Sequence, residues 1–172
     1  GQVHYMKFAN GGNPVGALEV VGTWDPSDTG TTVRFKADPT IFEETQEYKY
    51  DILQVRMREL ASLNEGIKMT VADKRDVDEN NDPIQHDEYL YEVGLEEFIK
   101  FVNENKEAIH PTIIHLKQKC ENVEIHGKID TMWLECVVQY NSGYQSNVFS
   151  FCNNIKTGDG GTHEEGFRLA LS

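Results

Sequence analysis

A helix signal close to the last residue constrains this chain more than any other feature of its sequence. Two glycines precede Thr162, a residue typical of helix N-caps, and Glu165 stands three positions later, as in a T-x-x-E capping box. The helix is predicted to start at His163 and to run into the last residue without a capping glycine. At the other end, residues 3–8 alternate like a strand with no initiator methionine before them. These patterns predict an internal piece of a larger protein.

The charge balance limits what the chain can bind by itself. Its 172 residues hold 29 Asp and Glu against 16 Lys and Arg, a formal net charge of -13, so direct binding to DNA or to an anionic membrane surface is not expected. No apolar run is long enough to span a membrane. The three cysteines form no C-x-x-C pair, which favours a cytoplasmic location. Cys136 and Cys152 lie in alternating apolar runs and are expected to be buried thiols.

The first half of the chain has the pattern strand, strand, helix, strand. The clearest helix signal begins at Asp51, which can cap the helix together with Gln54, and it ends at Gly66. A turn cluster rich in Asp, Ser and Gly separates the two β-rich runs that precede this helix. The predicted strands are residues 3–8, 18–21, 31–35 and 68–73.

The second half contains one more helix and then a block of strands. Apolar residues at helical spacing predict a helix over 95–105, and Pro111 blocks its continuation. The turn Asn141-Ser142-Gly143 predicts an antiparallel hairpin between the last two strands. The predicted strands are residues 112–117, 123–125, 132–140 and 146–152.

Two glycine-containing segments could contact a ligand. In Thr29-Gly30-Thr31-Thr32-Val33, a glycine flanked by small hydroxyls can line a purine pocket, or it can be a simple turn into a β-branched strand. Gly160-Gly161 before a helix could cradle a phosphate on backbone N–H groups. However, Glu164 and Glu165 in the first turn would repel the anion, which favours a structural turn.

The spacing of acidic residues and histidines does not indicate a metal site. The acidic run from Asp76 to Asp82 lacks the D-x-[DN]-x-[DN]-G pattern, so a solvated surface loop is favoured over a calcium loop. No two histidines share the helical spacing of zinc ligands. The six histidines are His4, His86, His110, His115, His126 and His163.

A succession of short motifs extends over almost the whole chain. The motifs are TGTTVRF at 29–35, DPTIF at 38–42, RMRELASLN at 56–64, DKR at 73–75, FIKFVN at 98–103, NK at 105–106, VVQYN at 137–141, FCNNI at 151–155 and GGTHEEGF at 160–167. Each motif alone is a weak signal, but their succession is specific. Taken in order, they resemble the ATPase subunits of bacterial type II topoisomerases, the family of DNA gyrase B and its topoisomerase IV counterpart.

The resemblance implies an α+β fold with two domains. Residues 1–92 correspond to the C-terminal part of a GHKL-type ATP-binding domain, an α/β sandwich. Residues 93–110 correspond to a connecting helix. Residues 111–172 correspond to the start of the transducer, a domain of ribosomal-S5-like fold.

The resemblance also implies a nucleotide site. The hydroxyl of Thr31 is expected to help bind adenine, Val33 to line the same pocket, and Gly30 to let the backbone approach the nucleotide. The complete protein is expected to use ATP and Mg²⁺. Its expected partners are DNA, a second copy of the same ATPase chain, and gyrase A or the A-type subunit of topoisomerase IV.

Several functional groups of the family have no match in this sequence. Its Mg²⁺-binding Asn, catalytic Glu, adenine-binding Asp and ATP lid precede the matched region, and its γ-phosphate lysine follows it, so we assign no catalytic residue or metal ligand here. Tyr5 falls where many relatives carry an arginine at the mouth of the nucleotide pocket. The stretch 120–132 is longer than the usual connection, which predicts an extended hairpin.

Two functions therefore remain open from the sequence. The chain is part of an ATPase that couples ATP binding and hydrolysis to DNA strand passage and supercoiling. Alternatively, the 172 residues by themselves are a catalytically silent structural and interaction module, for which no cofactor and no hydrolysis are expected.

Overall fold

The chain has a mixed α+β architecture in a computed structural model that describes residues 1–125 and 127–172. His126 lies outside the described residues. The helices are α1 (Tyr50–Leu63), α2 (Leu95–Val102) and α3 (Thr162–Leu171). The strands are β1 (Gln2–Tyr5), β2 (Phe8–Ala9), β3 (Asn13–Pro14), β4 (Glu19–Thr23), β5 (Met69–Val77), β6 (Pro83–Tyr89), β7 (Ile114–Ile125), β8 (Lys128–Val138), β9 (Phe151–Cys152) and β10 (Ile155–Lys156).

The described strands form five antiparallel pairs, and the chain divides into two compact units, Gly1–Glu47 and Tyr48–Ser172. The first unit holds β1 paired with β4 and β2 paired with β3. The second unit holds the pairs β5–β6, β7–β8 and β9–β10. The domain boundary near residue 92, which the resemblance implies, stays a prediction.

The first unit confirms two predicted strands and corrects a third. The run 3–8 is divided between β1 and β2, and the run 18–21 lies largely within β4. The predicted strand 31–35 is wrong, because residues 30–38 lie outside the helices and strands assigned to the described chain. Its β-branched residues favour an extended backbone, but no neighbouring strand among the described residues pairs with it.

The second unit has its core between α1, the β5–β6 hairpin and α2. Among the described residues, the buried hydrophobic side chains are Ala61, Tyr89 and Phe98. The guanidinium carbon of Arg58 lies 3.9 Å from the ring centroid of Phe101 and 4.9 Å from that of Tyr89. Arg58 thus joins α1 to β6 and α2 through contacts of the cation–π type.

The helix predicted from Asp51 exists, but its ends differ from the prediction. Helix α1 starts at Tyr50, its N-cap is Lys49, and no side chain caps it. Gln54 does not close a capping box, because its amide donates to Asp87 of β6 at 2.8 Å. At the other end the C-cap is Asn64, while Gly66 has the expected positive φ of 76° two residues beyond it.

The predicted pairing of residues 132–140 with 146–152 is wrong. Strand β8 pairs with β7 instead, from Ile114 opposite Val138 to Ile125 opposite Lys128, and residues 146–150 belong to no assigned strand of the described chain. The extended hairpin predicted for 120–132 is confirmed, because this ladder continues through it past an irregularity between Cys120 and Val123.

The turn at residues 141–143 explains why the other pairing fails. The Asn141 amide donates to Oδ1 of Asn103, the C-cap of α2, at 3.2 Å. The backbone N–H of Ser142 donates to the carbonyl of Glu107 at 2.9 Å. These long-range bonds hold the turn against the segment after α2, so it does not act as a local hairpin turn.

The predicted N-cap of the last helix is also wrong. Helix α3 already includes Thr162, its N-cap is Gly161, and no side chain caps it. The carboxylate of Glu164 accepts hydrogen bonds from Ser150 at 2.7 Å and from Arg168 at 3.0 Å. Through Glu164, the first turn of α3 is therefore bonded to the loop before β9 and to Arg168 in the next turn of the same helix.

Much apolar surface remains exposed. Leu116, Leu134 and Met132 alternate on one face of the β7–β8 hairpin, and each is at least 46% exposed. Burial within the chain therefore accounts for only part of its hydrophobic pattern.

Candidate functional site

The expected adenine-binding residues lie in an extended, exposed segment of the first unit. Gly30, Thr31 and Val33 are all exposed, and the side chain of Val33 is 79% accessible. A Cβ added at Gly30 would meet no atom within 4 Å. Among the described residues, none is hydrogen-bonded to the Thr31 hydroxyl. The Thr31 hydroxyl and the apolar side chain of Val33 are therefore exposed to the surroundings of the segment.

Two aspartate-centred turns fix both ends of this segment. Before it, Asp25 accepts hydrogen bonds from the backbone N–H and the hydroxyl of Ser27 at 2.8 and 2.7 Å. After it, Asp38 accepts from the backbone N–H and the hydroxyl of Thr40 at 2.9 and 2.7 Å. These hydrogen bonds, first those from the backbone, lower the pKa of each carboxyl. Both turns are Asx turns, in which an ionised side chain orders the loop.

Tyr5, which the resemblance predicts to lie at the mouth of the nucleotide pocket, ends β1. It pairs with Glu19 of β4, and its ring is about half exposed. Its place at the pocket stays a prediction.

A hydrogen-bonded cluster in the second unit was not marked by any sequence motif. Asp87 of β6 accepts at Oδ2 from the Tyr50 hydroxyl at 2.7 Å and from the Gln54 amide at 2.8 Å. Burial and the bond to Asp87 raise the pKa of Tyr50, and the bond from Tyr50 lowers the pKa of Asp87. The cluster therefore holds an ionised carboxylate that fastens the start of α1 to β6.

His115 joins α2 to the β7–β8 hairpin. Its Nδ1 lies 2.8 Å from Glu96 of α2, and its Nε2 lies 2.9 Å from Glu135 of β8. The hydrogen bond with Glu96, followed by that with Glu135, raises the pKa of His115. Lys117 extends the cluster, with Nζ 2.7 Å from Glu65 and 3.3 Å from Glu135. Both ring nitrogens are engaged, so the arrangement suits a structural bridge.

A polar cavity of about 470 Å³ lies beside the start of α3, between Ser150, Lys156, Thr157 and Glu164. The hydrogen bonds from Ser150 and Arg168 lower the pKa of Glu164, so this carboxylate is ionised at neutral pH. An anion would meet that charge at the helix start. The geometry agrees with a structural turn at Gly160-Gly161.

The acidic run and the cysteines also have defined places. Asp78 accepts from the backbone N–H groups of Asn80 and Asp82 at 2.8 and 2.9 Å, as expected for a surface loop. Cys136 is partly buried, which raises the pKa of its thiol. The expectation of a buried thiol is wrong for Cys152, which is exposed, because it lies in the two-residue strand β9, beside the turn to β10.

The described part of the chain offers neither a clustered set of metal ligands nor a membrane-spanning helix. It contains no group of three His, Cys, Asp or Glu side chains that could hold a metal ion. None of its helices is long and apolar enough to cross a membrane.

Comparison with known proteins gives consistent similarities in sequence. A family model described as DNA gyrase B matches residues 94–172. The gyrase B protein of Halalkalibacterium halodurans is 42% identical over all 172 residues, and that of Staphylococcus aureus is 46% identical over 168 residues, or 98% of this chain. The chain spans 24% of the length of each of these relatives.

The fold also matches solved structures of gyrase B proteins. The 43K ATPase domain of Thermus thermophilus gyrase B, in complex with an aminocoumarin, matches with a TM-score of 0.75 and 27% identity, over 100% of this chain and 42% of that one. The B-subunit of the Myxococcus xanthus DNA gyrase matches in fold with a TM-score of 0.67, at 22% identity, over 92% of this chain and 42% of that one. The chain is thus a homologue of DNA gyrase B, corresponding to about a quarter of its length.

Proposed function

We propose that this sequence is part of the ATPase subunit of a bacterial type II DNA topoisomerase, in which ATP binding and hydrolysis drive DNA strand passage and supercoiling. The observation that carries this proposal is the 42% identity to a gyrase B protein along the entire chain. The fold similarity to a gyrase B ATPase domain supports it. The complete protein acts as a dimer in the cytoplasm, and its partners are DNA and either gyrase A or the A-type subunit of topoisomerase IV.

The proposed nucleotide contacts of this chain are Gly30, Thr31 and Val33. Thr31 offers a hydroxyl that can both donate and accept a hydrogen bond, as recognition of an adenine edge requires. Val33 offers an exposed apolar side chain for a purine face. The Asx turns at Asp25 and Asp38 hold the ends of the segment, which lowers the ordering cost of binding.

We propose no metal-dependent step for Gly30, Thr31 and Val33. Mg²⁺ would accompany ATP in the complete protein, where it supplies charge neutralisation for phosphoryl transfer. The described residues do not bring together a set of metal ligands. The role that we propose for Gly30, Thr31 and Val33 in the nucleotide site is adenine contact.

Titration of the full-length protein with a non-hydrolysable ATP analogue tests the nucleotide site. Thr31→Ala is expected to weaken binding by about 0.5 to 1.5 kcal/mol, the net worth of one hydrogen bond, or roughly two- to tenfold in Kd. Thr31→Ser keeps the hydroxyl and should bind like the wild type, and Thr29→Ala controls for the local backbone. Unchanged affinity in Thr31→Ala contradicts the pocket assignment, and a wild type that binds no nucleotide contradicts the proposed function itself.

A further inference from the structure

A nearly buried carboxylate lies between α1 and the β9–β10 hairpin. Glu59 is 4% exposed. Its Oε2 accepts from Nη1 of Arg56, one turn earlier in α1, at 3.2 Å, and its Oε1 accepts from Nζ of Lys156 in β10 at 2.8 Å. The shorter of the two ion pairs thus joins residues 97 positions apart in the sequence. A carboxylate this poorly hydrated needs both partners, because an unpaired buried charge is costly.

The turn of the same hairpin is held at a second and a third point on α1. Asn153 and Asn154 form the turn with positive φ angles of 48° and 65°. The carbonyl oxygen of Asn154 accepts from Nη2 of Arg56 at 2.6 Å, and its side-chain amide donates to Oδ1 of Asn64 at 3.0 Å. Arg56 and Asn64 are eight residues apart on one helix, about 12 Å by the helical rise. Contacts so far apart fix the orientation of the turn as well as its position.

The hairpin is also joined to α2 and α3. Nζ of Lys156 lies 5.3 Å from the ring centroid of Phe149, and that ring packs edge-on against Phe98 of α2, with centroids 5.4 Å apart. On the other side, Ser150 donates to Glu164 of α3 at 2.7 Å. Displacement of the hairpin from α1 would therefore leave the Glu59 carboxylate without its lysine partner and disturb both helices together. An element whose release would break an ion pair and contacts to two helices at once suits a two-state relay.

We propose that Arg56, Glu59 and Lys156 form an electrostatic latch that transmits the nucleotide state from α1 to the β9–β10 hairpin and α3. This inference rests on the proposed function, under which α1 lies in the ATP-binding domain and the hairpin in the transducer. The three residues are positioning residues, since each acts through its bond to another side chain. Loss of the latch uncouples ATP hydrolysis from DNA strand passage: ATP is still hydrolysed, but fewer strand passages follow for each ATP.

The test compares ATP turnover with the change in DNA linking number in the full-length protein with its A-type subunit. Lys156→Met removes the charge and retains an unbranched apolar stem. Its ATP turnover is expected to stay within about twofold of the wild type, while the linking-number change per ATP falls at least about fivefold, the lower end of typical coupling strengths. Lys156→Arg restores the charge and is expected to restore most of the coupling. Lys119→Met is the matched control, because Lys119 pairs with exposed Glu121 on the β7–β8 hairpin.

Hydrogen–deuterium exchange on the same proteins shows whether the latch holds the hairpin. Lys156→Met should speed exchange in peptides covering 151–156 and the last turns of α1, but not in β5–β6, which separates local release from global unfolding. Unchanged exchange in the hairpin overturns the latch. Faster hairpin exchange with an unchanged linking-number change per ATP overturns its coupling role. A wild type without ATP-dependent DNA activity refutes the proposed function, and the exchange result still decides whether the latch exists.

Discussion

Of the single truncations in α2, Phe98→Ala should destabilise the core of the second unit most. Phe98 is 8% exposed and packs edge-on against Phe149. A phenylalanine buries roughly 150 to 250 Å², which at about 25 cal/mol per Å² stabilises the fold by about 4 to 6 kcal/mol. Because alanine keeps part of this buried area, the expected loss is about 3 to 5 kcal/mol, the range typical of Phe→Ala in protein cores. The edge-on ring pair is included in this range.

Hydrogen–deuterium exchange measures this cost locally, without requiring that the whole protein unfold in one step. A loss of about 3 to 5 kcal/mol corresponds to roughly 100- to 4000-fold faster opening of the protected amides of α1 and α2. Phe101→Ala makes the same chemical change one turn away, where the ring is 42% exposed and carries Arg58 on its face. Its effect should be at least about tenfold smaller, since less apolar area is lost. Equal effects of the two variants would refute the assignment of Phe98 to the core.

Three further predictions concern titration, backbone strain and thiol reactivity. Because the pKa of His115 is raised in the folded protein, its contribution to folding stability is fully present below the unfolded pKa of about 6.5 and is lost as pH rises through the higher folded pKa. The free energies of unfolding of the wild type and His115→Gln should therefore converge at alkaline pH. A difference that stays constant with pH contradicts this. Gly94→Ala should cost about 1 to 3 kcal/mol and lower the Tm, because φ is +59° and the new Cβ would lie 2.7 Å from Cγ of Glu65; an unchanged Tm contradicts it. Cys152 is exposed, whereas burial raises the pKa of the Cys136 thiol, so iodoacetamide at a pH of about 8 should modify Cys152 faster; equal rates would show that the Cys136 thiol is not protected.

Local sequence patterns predicted the elements whose stabilising contacts are local. Apolar spacing located α2 between residues 95 and 102, although the helix ends three residues before the predicted 105 because Asn103 caps it. Alternation located β5, which continues to Val77. The extension of the β7–β8 hairpin was predicted from the resemblance instead, because the stretch 120–132 is longer than the usual connection of that family.

The errors occur where a distant residue competes with a local partner. Gln54 could close a capping box, but Asp87, 33 positions away, takes its amide. Asn141 could shape a hairpin turn, but it bonds to Asn103 across 38 positions. Such competition depends on which strands and helices meet in space, and that is not encoded in spacing along the chain.

The same distinction between local and distant partners applies to the candidate sites. The segment containing Thr31 was recognisable because its motif is contiguous, and its ligand role stays a prediction. Arg56 and Glu59 stand at the i, i+3 spacing of a helical ion pair, which is visible in the sequence alone. Their third partner, Lys156, gives no signal, because its pairing with Glu59 exists only when the hairpin rests on α1.

ATP-dependent change of DNA topology by the full-length protein tests the central claim most directly. Relaxed closed-circular plasmid is incubated with the protein and its A-type subunit, with ATP, with a non-hydrolysable analogue, or without nucleotide, and topoisomers are separated by electrophoresis. The account predicts progressive supercoiling that requires hydrolysable ATP, with at most a single round of strand passage on the analogue. A linking number that is unaffected by ATP, in a preparation whose subunits assemble, would contradict it.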